Sequence, residues 1–268
     1  MLRDVELPLS FNIPVRPELS GPPATPKDAA TVMLLRDTDG GVEVFLQHRV
    51  KGMPFAGGMT VFPGGGVDKR DADASVAWAG PAPAKWAEWF GCDESLARAL
   101  VCAAVRETFE ESGVLLAGTD SSVLADTVQY ADVRQALVSR ELSLAAFLAD
   151  AGLTLRADLL RPWANWVTPE AEPRRYDTRF FAAVLPEGQH ADGLTSEADS
   201  SGWQRPAEAL ADAEQGLRML MPPTWITLNE LGEFKTAADA LASPREISKV
   251  MPSLVRDGDK VRVILEGL

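Results

Sequence analysis

The stretch Arg106-Glu107-Thr108-Phe109-Glu110-Glu111-Ser112-Gly113-Val114 constrains this chain more than any other. It closes a helical run that begins near Glu94. At about 100° per residue, Glu107, Glu110 and Glu111 share one arc, while Val101, Cys102, Val105 and Phe109 lie opposite. Such a helix has an apolar back, which must face a core, and a front of three carboxylates. Like charges spaced i, i+3 and i+4 repel and weaken an isolated helix. A divalent cation would reverse that penalty, and three carboxylates on one helix make a hard oxygen site suited to Mg²⁺ or Mn²⁺. The same pattern also fits a solvated acidic face, and the helix alone does not separate the two readings.

A second stretch shifts the balance. Phe62-Pro63-Gly64-Gly65-Gly66 is a glycine turn that allows close backbone approach and can aim a carbonyl or amide at a metal or phosphate. Together the two stretches resemble the Nudix hydrolase signature, G-x5-E-x7-R-E-U-x-E-E-x-G-U with U aliphatic. Arg106 to Val114 matches the second half at every fixed position except Thr108, which stands where an aliphatic is usual. With Gly65 as the leading glycine, Asp71 falls where the family has Glu. Residues 72 to 105 then fill a space that the family spans with seven residues. An insertion inside the box is similar to that of the coenzyme A diphosphatase branch of the family.

What the resemblance implies is specific. The expected fold class is α+β, a Nudix α/β/α sandwich with a mixed β-sheet, plus extra helices from the box insertion and residues 120–160. Glu107 and Glu111 are implied as the firmest metal ligands for Mg²⁺ or Mn²⁺, with Glu110 next and the Gly65 carbonyl joining them. Arg106 is implied to hold box carboxylates by a salt bridge, with Asp71 as its candidate partner, and Gly65, Asp71 and Gly113 are the structural box positions. Arg49, Gly58 and Phe62 to Gly65 match the spacing of a segment of the coenzyme A branches, which makes Arg49 a candidate substrate ligand. Val50 stands where those branches have Ser or Thr, and Pro54 where some have a second Arg. Arg49 equally fits an exposed charge at a strand end. The run Trp166-Val167-Thr168-Pro169 followed by Arg174-Arg175-Tyr176-Asp177-Thr178 also resembles that branch, so Arg174 and Arg175 are candidate phosphate ligands. Pairing with Glu170, Glu172 or Asp177 is their alternative. Glu197 sits where many relatives carry an additional acid or base, although that position varies in the family and a solvated loop carboxylate is the more usual occupant of such a loop.

Composition narrows the partners. A formal net charge of −13 repels nucleic-acid backbones and anionic membrane surfaces. The expected partner is a small-molecule diphosphate, with no nucleic acid and no membrane, and with a homodimer left open. Cys92 and Cys102 make neither a disulfide framework nor a zinc motif. His48 and His190 are too few for a histidine metal site or a Ser/His/Asp triad. No signal-peptide pattern, no apolar run of about 18 residues and no C-terminal peroxisomal tripeptide is present, so a soluble cytoplasmic protein is expected.

Along the chain, residues 1–28 carry six prolines and read as an extended arm, followed by a single domain over 29–268. Ala30–Leu35 and Val42–His48 read as a β-hairpin, and Met59–Phe62 as a third short strand. In the insertion, Pro83–Phe90 suggests a short helix stopped at Gly91, and Asp93 an N-cap for the helix that follows. Trp78, Trp86, Trp89 and Phe90 either line a pocket or pack the insertion on the sheet, the latter being the usual fate of tryptophan. Residues 122–152 read as two helices and 153–160 as helical or irregular. Trp163–Thr168 and Arg174–Leu185 read as strands, as does Trp203-Gln204. Pro206–Leu217 reads as a helix, and a last helix runs from Pro222 toward Leu241 with a break at Gly232. A hairpin turning at Asp257-Gly258-Asp259 closes the chain.

The expected activity is hydrolysis of a diphosphate linkage. Coenzyme A or acyl-coenzyme A is the first choice, cleaved to a phosphopantetheine product and adenosine 3′,5′-bisphosphate. A dinucleotide or nucleotide sugar is the runner-up, and a non-catalytic binding protein of the same fold is the remaining alternative. A box Glu and Glu197 both stand as candidates for the general base.

Overall fold

The computed structural model describes residues 3–6, 21–53, 55–257 and 260–266. In chain order the strands are β1 (Arg3–Glu6), β2 (Lys27–Thr38), β3 (Gly41–Arg49), β4 (Thr60–Val61), β5 (Gly64–Gly66), β6 (Trp78–Ala79), β7 (Ala117–Gly118), β8 (Thr154–Arg156), β9 (Leu160–Val167), β10 (Tyr176–Val184), β11 (Ala198–Gln204), β12 (Lys249–Asp257) and β13 (Lys260–Glu266). The helices are α1 (Pro83–Phe90), α2 (Glu94–Ser112), α3 (Ala131–Val138), α4 (Leu144–Asp150), α5 (Pro206–Glu214), α6 (Pro222–Leu231) and α7 (Ala237–Ala242). Pro8, Pro14 and Pro17 of the proline-rich arm, Pro54, and the turn residues Gly258 and Asp259 lie outside the described residues.

One mixed sheet dominates, in the order β1-β13-β12-β9-β10-β2-β3-β11, with β4 beside β3 and β5 beside β2. β10 runs parallel to β2 and β12 parallel to β9, while the remaining pairs are antiparallel. The run from Ala29 to Leu35 is apolar at nearly every position because β2 is covered on both faces. Ala30, Val32 and Leu34 enter one core with α1, α2 and α4; Met33 and Leu35 enter the other with α5, α6 and α7. β10 alternates in the same way, Phe181 and Ala183 against Phe180 and Ala182. The result is the expected α/β/α sandwich, an α+β fold.

The extra helices are α1, from the insertion, and α3 and α4, from the 120–160 region. Trp86 and Phe90 are buried, and Trp86 meets Phe181 of the central sheet with ring centroids 5.5 Å apart. These insertion aromatics therefore complete a core. Residues 153–160 correct the sequence reading. Thr154–Arg156 is a strand in a small second sheet, ordered β6-β8-β7, with Leu155 buried between half-exposed Thr154 and Arg156. That period-two pattern is only three residues long and follows two helices, so it is easily read as their continuation. α5 stops at Glu214, short of the expected Leu217, because Gly216 turns the chain with φ of +73°. Among the described residues no helix is long and apolar enough to cross a membrane.

Candidate active site

The site forms where the main sheet forks. β2 and β3 pair directly from Leu35–Val44 to Thr38–Gly41. Beyond that the segment carrying β4 and β5 wedges between them: His48 pairs with Thr60 on one side, and Ala30 pairs with Gly65 on the other. The buried Thr31 hydroxyl fixes the wedge by donating to the Pro63 carbonyl at 2.7 Å. α2 lies across this fork. It starts at Asp93, whose carboxylate accepts the Leu96 N–H at 2.9 Å, and ends at Gly113 in the left-handed conformation, φ +75°. Thr108, the departure from the aliphatic pattern, is fully buried and donates its hydroxyl to the Ala104 carbonyl at 2.7 Å, so its polar atom is satisfied inside the helix.

Gly65 of β5 is needed because a carboxylate occupies the space beside it. A Cβ on Gly65 would fall 2.6 Å from Glu107 Oε1. The Gly64 N–H donates to Glu111 Oε2 at 2.8 Å. Arg106 commits its whole guanidinium here. Nε and Nη2 donate to the two Asp71 oxygens at 3.0 and 2.9 Å, and Nη2 also reaches the Gly66 carbonyl at 3.0 Å. Nη1 donates to Glu107 at 2.7 Å and to Glu110 at 3.3 Å. Asp71 itself sits on a 3₁₀ turn, Lys69–Ala72, where its second oxygen accepts the Asp68 N–H at 2.8 Å.

Burial dominates the electrostatics. It pushes the Glu107 carboxyl up to about 7, against the pull of Arg106 and with the repulsion of Glu110. Burial and then the Glu107 charge raise Glu111 well above the ordinary carboxylate range, with the Gly64 N–H opposing. Glu110 is also raised by burial, with Arg106 opposing. For Arg106, burial disfavours the charge, but Asp71, Glu107 and Glu110 outweigh it and hold the guanidinium cationic.

Among the described residues no three Asp, Glu, His or Cys side chains are gathered so as to hold a metal ion. Glu107 and Glu110 turn to Arg106, and Glu111 turns to the Gly64 amide. Arg49, at the end of β3, is mostly buried and binds Glu197 Oε2 at 2.7 Å. Glu197 adds to the negative field at both Glu107 and Glu111, so this pair belongs to the same neighbourhood.

The two arginines just ahead of β10 part company. Arg174 is exposed. Arg175 is buried and donates to the carbonyls of Thr168 and Ala24 at 3.0 and 2.9 Å, with Met251 Sδ at 3.4 Å. Its donors are directed at these protein groups, whereas the sequence reading offered Arg175 as a phosphate ligand. The sequence reading missed Gln47, Arg134 and Asp192, which reach the C-terminal turn of α2. Gln47 donates to the Glu111 carbonyl at 3.2 Å, and Arg134 donates to the Glu110 carbonyl at 2.9 Å. One signal was available for Arg134: it lies on the same helical face as Tyr130 and Leu137, where an apolar residue is expected.

A mixed sheet between helical layers, with a glycine strand in its fork and an acidic helix laid across, is the arrangement of a Nudix hydrolase. The chain belongs to that family: the model of the NUDT19 Nudix domain matches residues 92–231, just over half of the sequence. It is 29% identical over 209 residues to nudix hydrolase 7 of Caenorhabditis elegans, covering 78% of this chain and 61% of that protein. It is 28% identical over 149 residues to the acyl-coenzyme A diphosphatase NUDT19 of Xenopus laevis, covering 50% of this chain and 39% of that protein. For the human protein of the same name the values are 26% over 262 residues, with 84% and 67% covered. The chain thus spans between two fifths and two thirds of the length of these relatives. Among solved structures, a Nudix hydrolase from Alicyclobacillus acidocaldarius superposes with a TM-score of 0.73 at 28% identity, over 83% of this chain and 98% of that one.

Proposed function

We propose that this chain hydrolyses a diphosphate linkage with the help of a divalent cation, and that its substrate is coenzyme A or acyl-coenzyme A. The observation that carries the reading is the burial of Glu107 and Glu111 together against Gly64 and Gly65. Two carboxylates raised chiefly by burial, with the Glu107 charge adding to the rise at Glu111, are costly to ionise unless a cation joins them. Their all-oxygen donor set fits Mg²⁺ or Mn²⁺, with Glu107 and Glu111 as the holding residues and Glu110 and the Gly65 carbonyl beside them. When bound, such an ion supplies charge neutralisation at the phosphates and acidifies a water.

The chain's own residues supply the rest. Arg106 fixes Glu107 and Glu110 from behind, so their oxygens do not have to be ordered at the moment of reaction. Arg49 is the candidate for meeting anionic oxygens of the substrate, and Glu197, which pairs with it, is the candidate for the additional acid. Exposed Arg174 remains a candidate for a more distant phosphate. The choice of coenzyme A rests on the matched positions Arg49, Gly58 and Phe62–Gly65 and on the names of the frog and human relatives. The net charge of −13 favours a small anion handled at a local cationic site over a nucleic acid or an anionic membrane surface.

The test is a panel of coenzyme A, acyl-coenzyme A, NADH, ADP-ribose, diadenosine polyphosphates and nucleotide sugars in Mg²⁺ and in Mn²⁺, with products identified by mass. The expected result is phosphopantetheine, or its acyl form, and adenosine 3′,5′-bisphosphate, lost in Glu111→Gln. Turnover of another diphosphate would move the substrate, and binding without turnover on the whole panel would replace the enzyme with a binding protein.

A further inference from the structure

The end of α2 is held in an unusual way. The last carbonyls of a helix have no partner within it. Here four successive ones are taken by four separate parts of the chain. The Glu110 carbonyl accepts from Arg134 Nε at 2.9 Å, the Glu111 carbonyl from Gln47 at 3.2 Å, the Ser112 carbonyl from the Asp192 N–H at 2.8 Å, and the Gly113 carbonyl from the Thr127 hydroxyl at 2.8 Å. Two of these clamps are also bound to each other, because Arg134 Nη1 donates to Asp192 Oδ2 at 2.8 Å. Gly113 leaves the room for that pair: a Cβ there would lie 2.9 Å from Arg134 Nη1 and 3.0 Å from Asp192 Oδ2.

From Asp192 the chain runs directly to Glu197. Asp192 Oδ1 accepts the Leu194 N–H at 3.0 Å, the Thr195 hydroxyl accepts the Glu197 N–H at 3.2 Å, and the Glu197 carbonyl accepts the Val50 N–H at 3.0 Å. Glu197 then holds Arg49. Hydrogen bonds from α3 to the end of the carboxylate helix and to Asp192, and then a five-residue segment tightened by two local side-chain turns, lead to the acid on the facing loop.

We propose that Arg134 and Asp192 are positioning residues that set the Glu197 loop against the carboxylate-bearing end of α2, and that this is a role of the extra helical region beyond packing. The inference rests on the proposed hydrolytic site, since it assigns Glu197 a part in turnover. A purely structural clamp would slow the enzyme through general loosening. A positioning clamp acts through Glu197 and loses its effect when Glu197 can no longer contribute.

The test is a double-mutant cycle on the full chain with coenzyme A, combining Asp192→Asn with Glu197→Gln, beside amide hydrogen exchange of the metal-free protein. Asp192→Asn should lower kcat by about five-fold or more in the parent and by less than about two-fold in the Glu197→Gln background. Arg134→Lys should behave like Asp192→Asn, and both should speed exchange at residues 193–197. An equal loss in both backgrounds, or a smaller loss in the parent, overturns the proposal. If the parent turns over no diphosphate, the proposed function fails separately. In that case, or if Glu197→Gln is too slow to measure, exchange alone decides: faster exchange at 193–197 in both variants upholds the tie, and unchanged exchange overturns it. Asp192 is more than one-third exposed, so its variant keeps the test usable where an Arg134 variant does not fold.

Discussion

Asp71 is one methylene shorter than the residue the signature carries, and from the 3₁₀ turn Lys69–Ala72 it still reaches Arg106 with both oxygens. The resulting pair with Arg106 is two-pronged and nearly solvent-free, with 10% and 2% of the two side chains exposed. Removing one member of such a pair leaves a buried charge with fewer partners, which costs roughly 3–5 kcal/mol. Asp71→Ala should therefore lower unfolding free energy by an amount in that range, read by urea titration. A loss below about 1 kcal/mol would mean that Gly66, Glu107 and Glu110 suffice for Arg106. At this scale the box residues were legible because their spacing is fixed along one helix and one turn. Arg134 and Asp192 were not, since their significance depends on a meeting across 58 positions that no local pattern records. The partners of Arg175 were hidden for the related reason that an arginine ahead of a strand looks free until Thr168 and Ala24 are folded around it.

At the scale of the element, α2 carries its carboxylates into the interior. Glu107 and Glu111 have pKa values raised above the ordinary 4.5 of an unfolded chain, chiefly by burial. Between the two values the native state holds more protons than the unfolded one, so native stability falls as pH rises through that interval. For Glu107 the interval runs from 4.5 to about 7. A divalent cation should oppose the fall, and oppose it most where the carboxylates are ionised. Melting in chelator and in Mn²⁺ at about pH 5.5 and about pH 8 tests this: the gain in Tm from metal should be larger at the higher pH, and equal gains would argue against a cation at these two residues. The insertion helix α1 makes a separate prediction. Trp86 is fully buried against Phe90 and Phe181. Trp86→Ala should cost about 3–5 kcal/mol, visible in the same urea titration; a near-neutral change would show that α1 is a detachable flap. The proline at Pro83 and the stop at Gly91 made this helix legible in advance. The strand β8 was not, because three residues are too few for a periodicity.

For the whole molecule, one quantity was readable without any structure, because it is a sum over the chain: the net charge of −13. A small anionic substrate approaching such a protein meets net repulsion at long range and, near the proposed site, local attraction at Arg49 and Arg174. The two differ in their response to salt. The screening length shrinks from about 30 Å at 0.01 M to about 10 Å at 0.1 M, which removes the distant repulsion before it touches a contact at hydrogen-bond range. Arg49 is also mostly buried, so its field is less screened than that of the surface acids. With free Mg²⁺ held constant, kcat/KM for coenzyme A should therefore rise by about two-fold or more as KCl goes from about 10 to about 100 mM, with kcat unchanged. The opposite trend would mean that the arginines around the site, and not the overall charge, govern approach. In that case Arg49→Gln should abolish the salt dependence, whereas under the whole-molecule account it should lower kcat/KM and leave the upward slope in place.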